Sequence, residues 1–220
     1  MAEPFVTSRR AMVLERWGPL AGIAAVVLLA VGVIIGAFGG PAPNEGTGQE
    51  WLDYFREDDA KIYAGSTIFL LGVVLFLWFL GTLRAALLAA EAAPGHWSAV
   101  AFGAGIATAV LLSLIVVPAL GGALSTDALE PAAAQSLGLL TFVFFIGAQV
   151  FAATFLAATA VAALTTRALP AWLAWASLAL AIVLVTPIGF LGILIGLPLW
   201  MLAVSVLLWQ TGRRAAAAPT

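Results

Sequence analysis

Long runs without a charged side chain divide this chain into five apolar segments, residues 17–44, 62–83, 92–126, 131–166 and 168–212. A transmembrane helix needs about 20 apolar residues, because the hydrocarbon core is ~30 Å thick and each residue adds 1.5 Å. The first four segments hold one span each, whereas the fifth is too long for one crossing and must fold back. The sequence "TPIGFLG" at residues 186–192 marks its turn.

We therefore predict an all-α, polytopic membrane protein whose six transmembrane helices form one domain, residues 17–212. The predicted spans are residues 19–38, 63–83, 97–118, 138–161, 171–188 and 193–210. Pro198 lies inside the sixth span. Because proline removes one helical hydrogen bond, we expect it to kink or break that helix.

Charge is concentrated between the first two spans. Residues 45–61 hold eight of the twenty charged side chains, counting nine basic and eleven acidic residues in the chain. Thr47 and Glu50 have the spacing of a capping box, which begins a helix. Aromatic side chains then fall on one side of that helix and Glu50, Asp53 and Glu57 on the other, whereas Asp58 and Asp59 fall within the apolar side. We predict a short extracellular amphipathic helix at residues 48–58, lying in the membrane interface with its aromatic side chains in lipid.

Five acidic side chains form what we call the external acidic patch: Glu50, Asp53, Glu57, Asp58 and Asp59. One interpretation is a solvated face on the outer side of the membrane. The alternative is a surface for a cation, a basic ligand or a partner protein. The spacing matches no known ion-binding loop, so no metal site is predicted. Asp58 is also expected to cap the second transmembrane helix.

The composition identifies the surroundings of the chain. It is 63% hydrophobic and 9% charged, whereas a soluble domain carries about 25% charged residues. Membrane lipids are therefore its main contacts. The absence of cysteine excludes disulfides, thiol catalysis and thiolate metal sites. No basic cluster is large enough to indicate a nucleic-acid partner.

Basic residues are distributed unevenly between the two sides of the predicted bundle. The side with both termini collects Arg9, Arg10, Arg16, Arg84, Arg167, Arg213 and Arg214, and the other side has only Arg56 and Lys61. This bias predicts a plasma (inner) membrane protein with residues 1–16 and 213–220 in the cytoplasm. The first span exceeds the apolar length of a signal peptide, so we interpret it as a retained helix.

Ionisable chemistry is missing from the predicted spans. No Asp, Glu, Lys, Arg or His falls well inside any of them. The sequence thus lacks the histidine pair of a transmembrane haem, the buried carboxylates of a proton-coupled pump and a Ser–His pair within the membrane. A GxxxxGK phosphate loop is also missing. We expect no cofactor and no enzymatic activity.

The polar groups inside the spans are neutral. Gln149 lies near the middle of the fourth span and needs a hydrogen-bond partner, because hydrocarbon supplies none. It either bonds a neighbouring helix or contacts a ligand. Thr108 and Thr154 are compatible neighbours. With the Pro198 kink, these residues are the candidate ligand-binding site.

Glycines recur at close-packing intervals in two spans. They are Gly32, Gly36 and Gly40 in the first and Gly192 and Gly196 in the sixth. Such spacing lets helix backbones approach closely. The contact is expected between helices of one chain or, alternatively, in a homo-oligomer or with a partner protein.

Residues 76–112 contain a leucine–arginine pair at the end of the second span, then "AE" and a Pro-Gly turn. Residues 162–181, "AALTTRALPAWLAWASLALA", place a basic turn, a proline and tryptophans before the fifth span. In these features, and in its acidic–aromatic loop helix, the chain resembles an uncharacterised family of six-span integral membrane proteins common in actinobacteria. The resemblance implies a bacterial six-span fold and assigns no catalytic or binding residues.

Three hypotheses for the function remain. The first is a non-enzymatic accessory or regulatory module that acts by contact with a partner. The second is a small-molecule or lipid-binding transporter with a neutral site near Gln149 and Pro198. The third is an intramembrane enzyme that uses the external acidic patch. A cavity of a few hundred Å³ that reaches Gln149 would favour the second hypothesis.

Overall fold

The computed structural model describes residues 9–37, 46–91 and 95–217. Regular structure in these ranges is entirely helical, which confirms the all-α prediction. The helices are α1 (Arg9–Ala37), α2 (Gly48–Glu57), α3 (Asp59–Ala90), α4 (His96–Leu124), α5 (Pro131–Thr166), α6 (Ala171–Leu184), α7 (Gly189–Leu191) and α8 (Leu197–Ala217), with a π-helical turn (Gly192–Gly196) between the last two. Gly40 lies outside the described residues.

Five stretches are long and apolar enough to cross a membrane: Gly18–Gly36, Asp59–Ala90, His96–Leu124, Pro131–Thr166 and Gly189–Arg213. The protein is therefore membrane-embedded. Helix α6 is also apolar but has only 14 residues, a length of ~21 Å against a hydrocarbon core of ~30 Å. Where the sequence predicts its fifth crossing, residues 171–188, the structure has this shorter helix.

The helices form a ring. Packing runs from α1 to α3, α4, α5 and α6 in turn, then through the π-helical turn to α8, which returns to α1. Apolar side chains from all of these elements fill the centre of the ring. Helix α2 lies across one end, against α4 and α5. We call this the α2 end and the opposite end, where α1 begins and α8 finishes, the terminal end.

Glycines bring α1 and α3 into backbone contact. A Cβ atom on Gly32 would lie 2.7 Å from the Phe69 nitrogen. A Cβ atom on Gly65 would lie 2.7 Å from both the Gly32 oxygen and the Gly36 nitrogen. These distances are too short for any side chain, so packing within one chain accounts for the described part of the first glycine motif.

The regular α-helix of the last span is interrupted just before Pro198, as the sequence predicts. A π-helical turn, Gly192–Gly196, directly precedes α8, and Pro198 is the second residue of that helix. Since proline donates no backbone hydrogen bond, the regular α-helical pattern does not continue through this point. Gly192 and Gly196 face leucine side chains of α6, so the second glycine motif also packs within the chain.

Helix α2 begins as predicted but buries its aromatic face against protein. Both halves of the capping box form. Trp51 and Phe55 are only 4% and 0% exposed, because they lie against Gly138 of α5 and Gly122 of α4. These side chains therefore contact the bundle and not lipid, in contrast to the prediction. The reason is that α4 and α5 extend beyond the predicted spans and reach α2.

The carboxylate of Glu91, at the end of α3, binds the start of α4. The Glu91 side chain accepts hydrogen bonds from the backbone nitrogens of Trp97 (2.8 Å) and Ser98 (3.0 Å) at the start of α4. Desolvation acts to raise the pKa of Glu91, but these hydrogen bonds and the nearby His96 lower it overall. Glu91 thus supplies the negative charge that a helix start favours.

Candidate ligand-binding cavity

The structure separates the residues that the sequence groups as a candidate ligand-binding site. Thr108 is fully buried in α4 and donates to the Ala104 carbonyl. Thr154 is exposed on α5 and donates to its own helix. Gln149 is half-buried on α5. Of the four predicted residues, only Pro198 lines the cavity found in the bundle.

That cavity has a volume of about 320 Å³ and lies in the half of the ring nearer α2. Helices α1, α3, α4, α5 and the last span all contribute to it. Its lining is Leu29, Ala30, Val33, Ile34, Phe69, Phe76, Leu112, Ile115, Phe145, Ile193, Leu194, Leu197, Pro198 and Met201. Every one of these side chains is apolar, so in the described part of the chain the cavity offers a ligand neither a charge nor a side-chain hydrogen bond.

The cavity opens through the side of the bundle. Val33 and Ile34 of α1 are 41% and 50% exposed, and Leu194 of the π-helical turn is 39% exposed. All three side chains line the cavity and also reach the apolar outer surface. In a membrane-embedded protein that surface faces lipid, so within the described residues the cavity is open towards hydrocarbon chains.

Towards the terminal end the cavity is closed by aromatic packing. Phe76 and Met201 line its deepest part and are 0% and 1% exposed. Behind them, Phe155 and Trp200 pack edge-to-face with ring centroids 5.4 Å apart. The Trp200 indole nitrogen donates to Ser177 Oγ at 2.7 Å. This hydrogen bond fixes the ring, because a buried indole nitrogen needs an acceptor.

The π-helical turn shapes one wall of the cavity. Ile193 and Leu194 of the turn line it together with Leu197 and Pro198 of α8. A π-helical turn shifts the side chains that follow it relative to a regular α-helix, and such turns occur often at functional sites. The three glycines and two prolines of residues 186–198 are the sequence signal for this wall.

The external acidic patch is a second candidate site, and the structure divides it. Glu50, Asp53, Glu57 and Asp59 are exposed on or just after α2, whereas Asp58 is 6% exposed. Among the described residues, no three acidic or histidine side chains come together to hold a metal ion. The described geometry therefore gives a cation no ready-made set of ligands.

Asp58 takes the predicted N-cap position of α3 without the predicted capping hydrogen bond. Its Oδ1 atom instead lies 2.7 Å from Lys61 Nζ, one turn along α3. The carboxylate of Asp58 thus pairs with the ammonium group of Lys61 and accepts no capping hydrogen bond at the start of α3. Burial, and then the charge of Asp58, raise the pKa of Tyr54 above its usual value, so its phenol stays neutral at physiological pH.

Comparison with models of known protein families, with curated proteins and with solved structures finds no match to this chain.

Proposed function

We propose that this protein binds the hydrocarbon chain of a membrane amphiphile in the cavity between α1, α3, α4, α5 and the last span. The observation that supports it is a cavity of about 320 Å³ with an entirely apolar described lining and an opening at the lipid-facing surface. Burial of apolar surface is the only attraction that such walls offer, and an alkyl chain supplies that surface without a polar group to desolvate.

The size of the cavity suits one chain. A dry apolar cavity of ~150 Å³ holds benzene, so the volume of about 320 Å³ corresponds to roughly a dozen carbon atoms by the same ratio. Pockets for small ligands begin near ~300 Å³. We therefore propose a single alkyl or isoprenoid chain as the bound segment.

This proposal develops the lipid-binding hypothesis and leaves transport as its extension. The cavity ends at Phe76 and Met201, so passage through the membrane would require the aromatic side chains behind them to move. Gln149 lies one turn from Phe145, a lining residue. A contact between Gln149 and a ligand therefore stays a prediction that depends on such a movement.

A contact function at the α2 end is the second candidate. Helix α2 is fixed by its capping box and its buried aromatic side chains. Arg56 also donates to the Thr126 carbonyl beyond α4. The exposed acidic side chains consequently have a defined orientation, which favours a basic partner over an unspecific solvated face. An enzyme acting through the same residues is the third hypothesis.

We further propose the plasma membrane as the location, with both termini in the cytoplasm. Trp97, Trp172, Trp175 and Trp209 are exposed near the terminal end, as expected of an aromatic belt at one membrane interface. Arg213 stacks on Trp209 there, with its guanidinium carbon 4.9 Å from the ring centroid. Basic and aromatic side chains at one interface support a cytoplasmic orientation of that end.

Filling the cavity tests chain binding. Ala30 lines the cavity and lies on α1, so the indole of Ala30→Trp should occupy the space of the chain. Ala24 is exposed on the same helix outside the cavity, and Ala24→Trp is the matched control. We expect native mass spectrometry from membrane nanodiscs to show about tenfold lower amphiphile occupancy for Ala30→Trp, or ~1.4 kcal/mol, and no change for Ala24→Trp.

Ile34→Trp, which changes a partly exposed lining residue, is a second cavity-filling variant in case Ala30→Trp does not fold. Equal amphiphile occupancy in the folded cavity variants, the control and the unchanged protein would contradict the proposal.

A further inference from the structure

The helical hairpin formed by α6 and the last span stops short of the α2 end. Phe190, at the tip of this hairpin, packs on Phe145 of α5 with ring centroids 6.1 Å apart. Gly138, which contacts Trp51 of α2, lies seven residues before Phe145 on α5. Seven helical residues span ~10 Å. The tip therefore lies about 10 Å from α2, measured along the axis of the bundle towards the terminal end.

Helix α4 also continues beyond the level of the cavity towards α2. Ile115 lines the cavity, and Gly122, seven residues further along α4, contacts Phe55 of α2. In the part of the chain that the structure describes, α4 and α5 thus continue past the hairpin tip towards α2. The part of the cavity nearer the α2 end is consequently level with the tip. The part nearer the terminal end is closed by Phe76 and Met201.

From this arrangement we infer that the amphiphile enters over the hairpin tip from the leaflet at the α2 end, with its chain pointing towards Phe76 and Met201 and its polar headgroup beside α2. This inference rests on the proposed function. A headgroup at the deep end would be buried among apolar side chains without a hydrogen-bond partner, which is strongly unfavourable. The end of the cavity nearer α2, in contrast, lies towards water and the exposed polar side chains of α2.

The charge at the α2 end restricts the headgroup. Residues 46–61 and 125–131 carry seven acidic and two basic side chains, all within the described residues. Their summed field repels an anion, and the hydrocarbon nearby weakens the screening of this field. The ligand class is therefore an amphiphile whose headgroup carries no net negative charge, such as a zwitterionic single-chain phospholipid.

Photolabelling at two depths tests the orientation. The probes are single-chain phosphocholines of about twelve carbons, matched to the cavity volume, with a diazirine either at the chain end or beside the headgroup. With the full-length protein in nanodiscs, we expect the chain-end probe to label the peptides of Phe76 and Met201. The headgroup-side probe should label the peptide of Val33 and Ile34. Both signals should fall in Ala30→Trp and persist in Ala24→Trp.

Three results would overturn, respectively, the orientation of the amphiphile, the binding of its chain and the restriction on its charge, so they can be told apart. Labelling in the reverse order would overturn the inferred orientation and leave chain binding intact. No labelling of lining residues by either probe would overturn the proposed function itself. An anionic probe with a sulfate headgroup and the same chain should label several-fold less than the phosphocholine. Equal labelling at low ionic strength would overturn the restriction on charge.

Discussion

At the scale of single residues, the absence of a side chain at Gly65 constrains how α1 packs on α3. A Cβ atom there would meet backbone atoms of Gly32 and Gly36, at 2.7 Å in each case. Backbone atoms inside a helix cannot rotate away as the end of a flexible side chain can. The contact between α1 and α3 therefore depends on glycine at this position, and α1 forms one wall of the cavity.

We expect Gly65→Ala to lower stability by about 1–3 kcal/mol, the usual cost of overpacking. Thermal unfolding in detergent measures it as a lower midpoint. Gly81 lies on the same helix, and a Cβ atom there would meet nothing within 4 Å. Gly81→Ala is therefore the control and should leave the midpoint unchanged or raise it, because alanine favours a helix over glycine. Equal effects of the two substitutions would show that the backbone contact does not determine the result.

At the scale of elements, α2 behaves as part of the bundle. Its aromatic side chains form a small core of their own with the ends of α4 and α5. Gln135 of α5 donates to the Gly46 carbonyl just before α2, which ties the two elements together a second time. Helix α2 should therefore stay in place when the protein leaves the membrane.

Phe55→Ala tests whether the aromatic face of α2 packs on protein. Phe55 is fully buried, and removing such a side chain from a core costs about 3–5 kcal/mol. Tyr63, 53% exposed near the start of α3, gives the control Tyr63→Ala. We expect protease sensitivity in detergent to rise strongly around residues 46–58 for the first variant only. Similar resistance of both variants would mean that Phe55 faces lipid after all.

At the scale of the whole molecule, the exposed acidic side chains of α2 lie at one end of the ring, and Arg84, Arg167 and Arg213 lie at the other. Asp53 is exposed on α2 and Arg213 is exposed near the end of α8. The chain contains no native cysteine, so single cysteines can report on each end. This arrangement makes the proposed orientation in the plasma membrane directly measurable.

A membrane-impermeant maleimide applied to intact cells should label Asp53→Cys. It should label Arg213→Cys only after permeabilisation, because the positive-inside rule places that end in the cytoplasm. Labelling of both positions in intact cells, or of neither, would refute an arrangement in which the two ends lie on opposite sides of the membrane. Labelling of Arg213→Cys alone would invert the orientation.

The sequence determined the membrane environment, the helical class, the capping box that begins α2 and the break before Pro198. Each depends on hydropathy or on residues a few positions apart. It could not determine which apolar side chains face lipid and which face protein. Leu and Val are equally compatible with both, because lipid tails and a protein interior are similarly apolar. For the same reason the sequence predicts lipid around the aromatic face of α2, whereas the structure buries Trp51 and Phe55 against protein.

Only the tertiary structure decided where the helices leave space. The cavity is lined by side chains of α1, α3, α4 and α5, of the π-helical turn and of α8, and glycine contacts set the position of α1 against α3. Gln149 stood out in the sequence because polar residues contrast with apolar spans, whereas the lining residues resemble their neighbours in type. A cavity depends on how segments distant in sequence pack together, and the pattern of polar and apolar residues along the chain does not predict that packing.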